Sequence, residues 1–226
     1  MFNPSCLTPP AGHNGDPPPC GVPSELSRLC ADPPRALVIA SGNPHKVAEL
    51  TAMLAPVDLE VRAKPRGLEI EETGATYAAN ARLKAEVVAR TTGAWSLADD
   101  SGLEVDALGG RPGVHSARYA PSDPERIHRL LHELGDSLYR SARFVSAMAL
   151  ARPDGLVVLE SEGICHGLIL HEPEGSGAGF DPIFFVREAG CSYARMGEHL
   201  RLRLGSRGKA ARALAPGLRR CLGLSG

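Results

Sequence analysis

Cysteines stand at positions 6, 20, 30, 165, 191 and 221 of this 226-residue chain, yet none forms a C-x-x-C pair or has metal-type spacing to a histidine. Neither a zinc site nor a disulfide framework is signalled, and the cysteines read as free thiols of a reducing, cytoplasmic compartment. No apolar run approaches the length of a membrane span, and the N-terminus lacks the basic-then-apolar order of a secretory signal, so no membrane partner is expected. An excess of one charge is also missing. With 25 Lys and Arg against 26 Asp and Glu, the net charge of -1 argues against wrapping a nucleic acid and points to a small ligand. Neither the Walker A pattern nor the dinucleotide fingerprint occurs. What remains is a globular chain, 43% hydrophobic and 23% charged, long enough for one large domain or two small lobes.

The stretch that organises the chain is LADDSGLEVDALGGRPGVHSARYA, residues 97–120. Its apolar lead-in predicts a strand that ends at Ser101-Gly102, where the backbone turns. Asp99 and Asp100 fall near that end. Adjacent strand residues point to opposite faces, so one of the two is a worker and the other structural. Acidic residues at a strand end without a neighbouring His or Cys suit magnesium, a hard cation that keeps water and substrate phosphates among its ligands.

Residues 1–34, dense in Pro and Gly, predict a disordered tail, with the folded domain over 35–226. ALVIA (36–40) reads as a strand covered on both faces. SGNPHK (41–46) follows, with Gly42 for the turn, Asn43 as helix cap and Pro44 in the first helical position. Such a helix N-terminus attracts phosphate, and Lys46 lies one turn in. A helix to Leu54 and a strand over 57–61 come next, then the acidic run 69–72 and a helix over about 75–90. On that helix Tyr77, Asn80, Ala81 and Lys84 share a face, so Asn80 and Lys84 are placed to address one anion. Ser122 to Leu134 predicts an amphipathic helix ended by Gly135, on which His128 and His132 are read as solvated. Long strands over 143–151 and 156–170 are joined by a Pro153-Asp154-Gly155 turn. The glycine-rich loop 175–182 suits close approach to a flat ligand, with Asp181 as acceptor for ring N–H groups. Six arginines and Lys209 lie between residues 201 and 220, and Gly205 to Gly208 open the last helix.

Five of these segments, SGNPHK (41–46), EETGATYAANARLKA (71–85), residues 97–120, GFDPIFF (179–185) and SRGKA (206–210), resemble in order and spacing the inosine triphosphatase or Ham1 family. The resemblance covers about residues 36–222. It implies an α/β fold, with an elongated mixed sheet, flanking helices and two lobes around a central cleft, usually as a homodimer. It also implies hydrolysis of non-canonical purine triphosphates such as ITP, dITP and XTP to the monophosphate and pyrophosphate. By the same resemblance Ser41, Gly42, Asn43, Pro44, His45 and Lys46 would hold the triphosphate, and Glu72 and Asp100 would hold Mg2+. Asp100 would accept the proton of the attacking water, Lys84 would steady the phosphates, and Ser101 would contact substrate. Ala178, Gly179, Phe180, Asp181, Arg201, Ser206 and Arg207 would form the base subsite.

Three of those positions depart from the family pattern. Ala178 replaces a base-stacking aromatic, Arg201 a lysine and Ser206 a histidine, which predicts retained hydrolysis with altered or relaxed base selectivity. Two other readings stand beside this one: a Maf-like pyrophosphatase for other modified nucleotides, and a non-catalytic nucleotide-binding relative.

Overall fold

The computed structural model describes residues 36–54 and 59–224. The expected tail over 1–34, the first residues of the expected 57–61 strand and the side chain of His45 lie outside the described residues.

Strand β1 (Ala36–Ile39) has Leu37 and Ile39 in one core and Val38 in another, as an unbroken apolar run requires when both faces are covered. Parallel neighbours flank it, β2 (Glu60–Ala63) on one side and β3 (Trp95–Val105) on the other. Pairing with β1, from Ala36 opposite Glu60 to Ile39 opposite Ala63, carries β2 two residues past the end that sequence alternation predicts. β4 (Ser141–Ala151) and β5 (Val157–Ile169) continue the sheet antiparallel, followed by β6 (Phe184–Val186) and β7 (Cys191–Ser192). The order is β2-β1-β3-β4-β5-β6-β7, a mixed seven-stranded sheet.

One expectation is corrected here. β3 does not end at Ser101-Gly102 but stays paired with β4 as far as Val105 opposite Ala142. On its other edge β1 has already stopped, and the 3₁₀ segment Gly113–Arg118 supplies the missing partner. Ser116 Oγ accepts from the Leu103 N–H at 2.9 Å. A Cβ on Gly102 would lie 2.4 Å from the Gly113 carbonyl oxygen and 2.9 Å from the Tyr77 ring. This glycine serves close approach, not a turn.

Helices α1 (Pro44–Leu54) and α5 (Ser206–Cys221) cover one face of the sheet over Leu37, Leu97, Met148 and Leu150. α2 (Tyr77–Thr92) covers the other. Thr76 Oγ1 accepts from the Ala79 N–H to start α2, and Gly93, at φ 63°, closes it. Its buried stripe of Ala81, Ala85, Val88 and Ala89 meets Ala98, Ala147 and Ala149, so small residues on both sides hold helix and sheet close together. A third core, around Leu103, Val105, Leu130, Phe184 and Tyr193, lies under α3 (Asp123–Leu134), which opens with a reciprocal Ser122–Glu125 capping box. His128 and His132 are exposed on α3, as expected. A short helix, α4 (Glu198–Leu204), was not expected from the sequence.

α5 approaches β5 so closely that a Cβ on Gly163 would stand 2.1 Å from the Ser206 carbonyl oxygen and 2.5 Å from the Ala210 nitrogen. Both are backbone atoms that cannot swing aside. Gly163→Ala is expected to cost about 2–3 kcal/mol. Denaturant unfolding checks this, and an unchanged midpoint would show that α5 can shift freely.

Candidate active site

β1 delivers the chain to a helix start beyond its carboxyl end. The Asn43 N–H donates to Ser41 Oγ at 3.2 Å, and Asn43 Oδ1 accepts from the Lys46 N–H at 3.4 Å. Pro44 occupies the first helical position, as the sequence predicts. The positive dipole end of this helix, with Lys46 beside it, makes an anion-attracting mouth.

β3 then places its two carboxylates on opposite faces. Asp100 lies opposite Ala147 on the α2 side, where the Lys84 ammonium donates to Asp100 Oδ1 at 2.8 Å and to Glu72 Oε1 at 2.9 Å. Asn80, wholly buried, donates to Asp100 Oδ2 at 3.2 Å while its own Oδ1 accepts from the Gly74 N–H at 2.8 Å. The one anion that Asn80 and Lys84 share is therefore Asp100 itself. Arg118 adds a second cation to Glu72, at 3.1 Å.

Burial is the largest influence on Asp100 and raises its pKa above the usual carboxylate range, against the pull of Lys84. Burial acts the same way on Glu72, but Lys84, Arg118 and Lys46 outweigh it and hold that carboxyl low. For Lys84 burial pulls down, and its two carboxylates reverse the direction and keep it charged. Two acids with neighbouring environments are thus pushed apart, Asp100 toward a proton acceptor and Glu72 toward a permanent anion.

Asp99, on the α5 side, is fully buried between Lys46 Nζ at 2.9 Å and the Arg207 guanidinium, whose Nε lies 3.2 Å away. Burial alone would raise it, yet Arg207 and Lys46 hold it far below the usual range. Arg207 also donates to Ser101 Oγ at 3.0 Å and to Glu49. Four of its N–H directions are spent within the protein, leaving about one for a ligand.

Beside this network opens a cleft of about 670 Å³, whose walls include Lys46, Ser101, Phe144, Ser146, Tyr193 and the loop 176–181. Ala178, Gly179, Phe180, Asp181, Arg201, Ser206 and Arg207 all line it. They do so in different ways. Ala178 is exposed, whereas Phe180 is 97% buried and packs edge-on against Tyr119, so it is chiefly a core residue. Gly179 is pinned through its N–H to Asp123 at 2.7 Å. Arg201 fastens the Tyr193 and Met196 carbonyls, each at 3.0 Å, and lies 3.5 Å from Asp181. Ser206 shares a 2.8 Å hydrogen bond with Ser146. Sequence reasoning did not assign Glu49 or Arg118 to this site. Glu49 could have been found from its i,i+3 spacing to Lys46 on α1.

As to metal, no group of three or more His, Cys, Asp or Glu among the described residues converges as a cage. Glu72 and Asp100 offer hard oxygen donors that already meet at one cation, Lys84. Two carboxylates are too few for an all-protein site but suit magnesium, which completes its shell with water and phosphate.

A mixed α/β sheet with a helix N-terminus just past β1, and a lysine-bridged carboxylate pair on β3 and the loop before α2, defines an α/β protein with a charged, anion-attracting site. Residues 37–217 match the Ham1 family, and the chain belongs to it. A Nostoc sp. protein named dITP/XTP pyrophosphatase is 53% identical over 183 residues, 80% of this chain and 93% of that protein. A Synechococcus sp. protein of the same name is 51% identical, over 83% of this chain and 92% of its own. Among solved structures, a HAM1 protein from Coxiella burnetii superposes with TM-score 0.75 at 36% identity, covering 82% of this chain and 98% of that one.

Burial raises Asp181 to about 6, with Arg201 and Arg207 opposing and Glu49 and Asp123 adding to the rise. Below its unfolded value of 3.8 the carboxyl is neutral in both states and costs nothing. Above about 6 it must ionise in a buried place, a penalty of roughly 2–3 kcal/mol. Asp181→Asn should therefore stabilise the protein by roughly that amount at pH 7.5, and the gain should vanish below about pH 4. Unfolding midpoints across pH test it. A variant no more stable at pH 7.5 would refute the penalty.

Proposed function

We propose that this protein hydrolyses non-canonical purine nucleoside triphosphates, ITP, dITP and XTP, to the monophosphate and pyrophosphate, clearing deaminated purines from the nucleotide pool. The observation that carries this reading is the buried Lys84 bridging Glu72 and Asp100 beside the 41–46 helix mouth. The names of relatives around 50% identical support the substrate class. A homodimer, a cytoplasmic setting and Mg2+ dependence belong to the same proposal, on the family resemblance and the donor set. No helix among the described residues is long and apolar enough to cross a membrane.

In this reading the helix mouth formed by residues 41–46 and the Lys46 ammonium bind and orient the triphosphate. Glu72 and Asp100 would hold Mg2+, which when bound supplies positive charge against the developing negative charge on the phosphates. Asp100 Oδ2, steadied by the Asn80 amide, accepts a proton from the water that attacks the α-phosphorus. Lys84 adds charge from beneath, and Ser101, fixed by Arg207, faces the cleft. At the base end Arg207 offers an N–H to a 6-keto oxygen and Asp181 accepts from the N1–H. Adenine presents the opposite pattern at both places. Ala178 removes a flat wall from this subsite, which supports relaxed selection among keto purines.

Two outcomes follow. Mg2+-dependent pyrophosphate release should be fastest with ITP or XTP and fall at least about 100-fold in Asp100→Asn. If that variant keeps wild-type turnover, Asp100 is not the base. Release from other modified nucleotides alone would favour the Maf-like reading, and nucleotide binding without release the non-catalytic one. Second, because protonation takes the charge from Asp181 and leaves only a weaker neutral acceptor for the N1–H, KM for ITP should rise as pH falls through about 6. Asp181→Asn should abolish that rise, and a pH-dependent KM that survives in the variant would assign it elsewhere.

A further inference from the structure

Lys64 lies just past the end of β2 and belongs to none of the groups described above. Its N–H donates to the Ile39 carbonyl at 3.1 Å, so β2 pairing with β1 continues to this residue. That bond sets it beside the place where β1 gives way to the 41–46 mouth. Its stem runs over Gly42: a Cβ there would lie 3.5 Å from Lys64 Cε and 4.0 Å from Nζ. The ammonium donates to the Leu68 carbonyl, a neutral acceptor.

Charge balance separates Lys64 from the other cations. Lys46, Lys84, Arg118 and Arg207 are tied to Glu49, Glu72, Asp99 and Asp100, four cations against four carboxylates. This network is neutral by itself. No carboxylate among the described residues lies within ion-pair distance of Lys64, so its ammonium is held by the neutral Leu68 carbonyl and no protein anion offsets its charge at contact distance.

Strand order supplies the direction. The base-end residues Phe144 and Ser146 are on β4, Asp100 on β3, the phosphate mouth after β1, and Lys64 after β2, in sheet order β4-β3-β1-β2. Strands lie about 4.8 Å apart, so β3 to β2 spans roughly 10 Å, and a lysine side chain reaches back over part of it. A nucleotide laid across the strand ends with its base at β4 and its α-phosphorus at Asp100 sends its last phosphate toward Lys64. We propose that Lys64 is the contact for the terminal phosphate and selects triphosphates over shorter phosphate chains. This rests on the phosphate reading of residues 41–46.

The test is Lys64→Gln and Lys64→Arg in the full-length protein, with thermal melting as the check on folding. Pyrophosphate and IMP affinities are measured by calorimetry, and KM for ITP and IDP by product release. Lys64→Gln should weaken pyrophosphate and raise KM for ITP by about tenfold, leaving IMP binding and KM for IDP within about twofold. Lys64→Arg should restore most of the loss. Equal weakening of pyrophosphate and IMP, with a lowered melting temperature, would make Lys64 a spacer for Gly42 and overturn the proposal. Unchanged pyrophosphate binding would overturn it too. If wild type releases pyrophosphate from no nucleotide, the enzymatic reading fails, while pyrophosphate calorimetry on wild type and Lys64→Gln still decides the role of Lys64.

Discussion

The pleat of β3 is the constraint on which the site depends. Successive residues of a strand face opposite ways, so Asp99 and Asp100 are forced apart although they are adjacent in sequence. Asp100 goes to the α2 face with Lys84 and Asn80, and Asp99 goes to the α5 face with Lys46 and Arg207. A one-residue slip in β3 would exchange them and strand both carboxylates among the wrong partners. Ten consecutive pairs with β4, Ser96 through Val105, hold that register. The length of β3 beyond the end of β1 is therefore part of the chemistry, because pairing on one side fixes Asp100 while the other side stays open for a ligand.

Burying so many charges is a poor way to gain stability, since desolvation offsets most of the attraction within each pair. The arrangement makes better sense as preorganisation. Asp99 binds Lys46, from the phosphate mouth, and Arg207, from the base side, so one carboxylate fixes two subsites that come from α1 and α5. Lys84 does the same for Glu72 and Asp100. Each cation is thereby held charged and in place before a polyanion arrives, and little reorganisation remains for the binding step.

The local parts of this were legible in the sequence. Asn43 and Pro44 announce the α1 start, Ser122 the α3 start, and Pro153-Asp154-Gly155 the β4–β5 turn, because caps and turns are decided within a few residues. The shared face of Asn80 and Lys84 was legible too, but not the target of that face, which is twenty residues from Asn80 on another element. Gly102 was misread as a turn for a related reason. Its neighbours Gly113 and Tyr77 lie far along the chain, and only tertiary packing shows that the strand runs straight past it. Arg207 with Glu49, 158 residues apart, is the extreme case: the family resemblance places Arg207 in the base subsite, and nothing local in the sequence points to Glu49 as its partner. α4 escaped because seven residues are too few to establish a helical period.

The base end differs from the phosphate end in how firmly its residues are committed. Around the phosphates Lys46, Lys84, Glu72, Asp99 and Asp100 have charged partners fixed by β3, α2 and α5. Around the base Arg201 spends its donors on the Tyr193 and Met196 carbonyls, Ser206 is paired with Ser146, and Phe180 is drawn into the core against Tyr119. Side chains satisfied by the protein itself have little left to offer a ligand. Discrimination there is consequently left to Asp181, to about one remaining N–H of Arg207 and to the shape of the 176–181 loop. Burial disfavours the ionised form of both Asp181 and Arg207, but Asp99 and Glu49 outweigh it at Arg207, whereas at Asp181 burial wins. The stability lost by keeping a carboxylate in that position is the physical mark of a residue retained for recognition, since Arg201, 3.5 Å away, and Arg207 do not offset its burial.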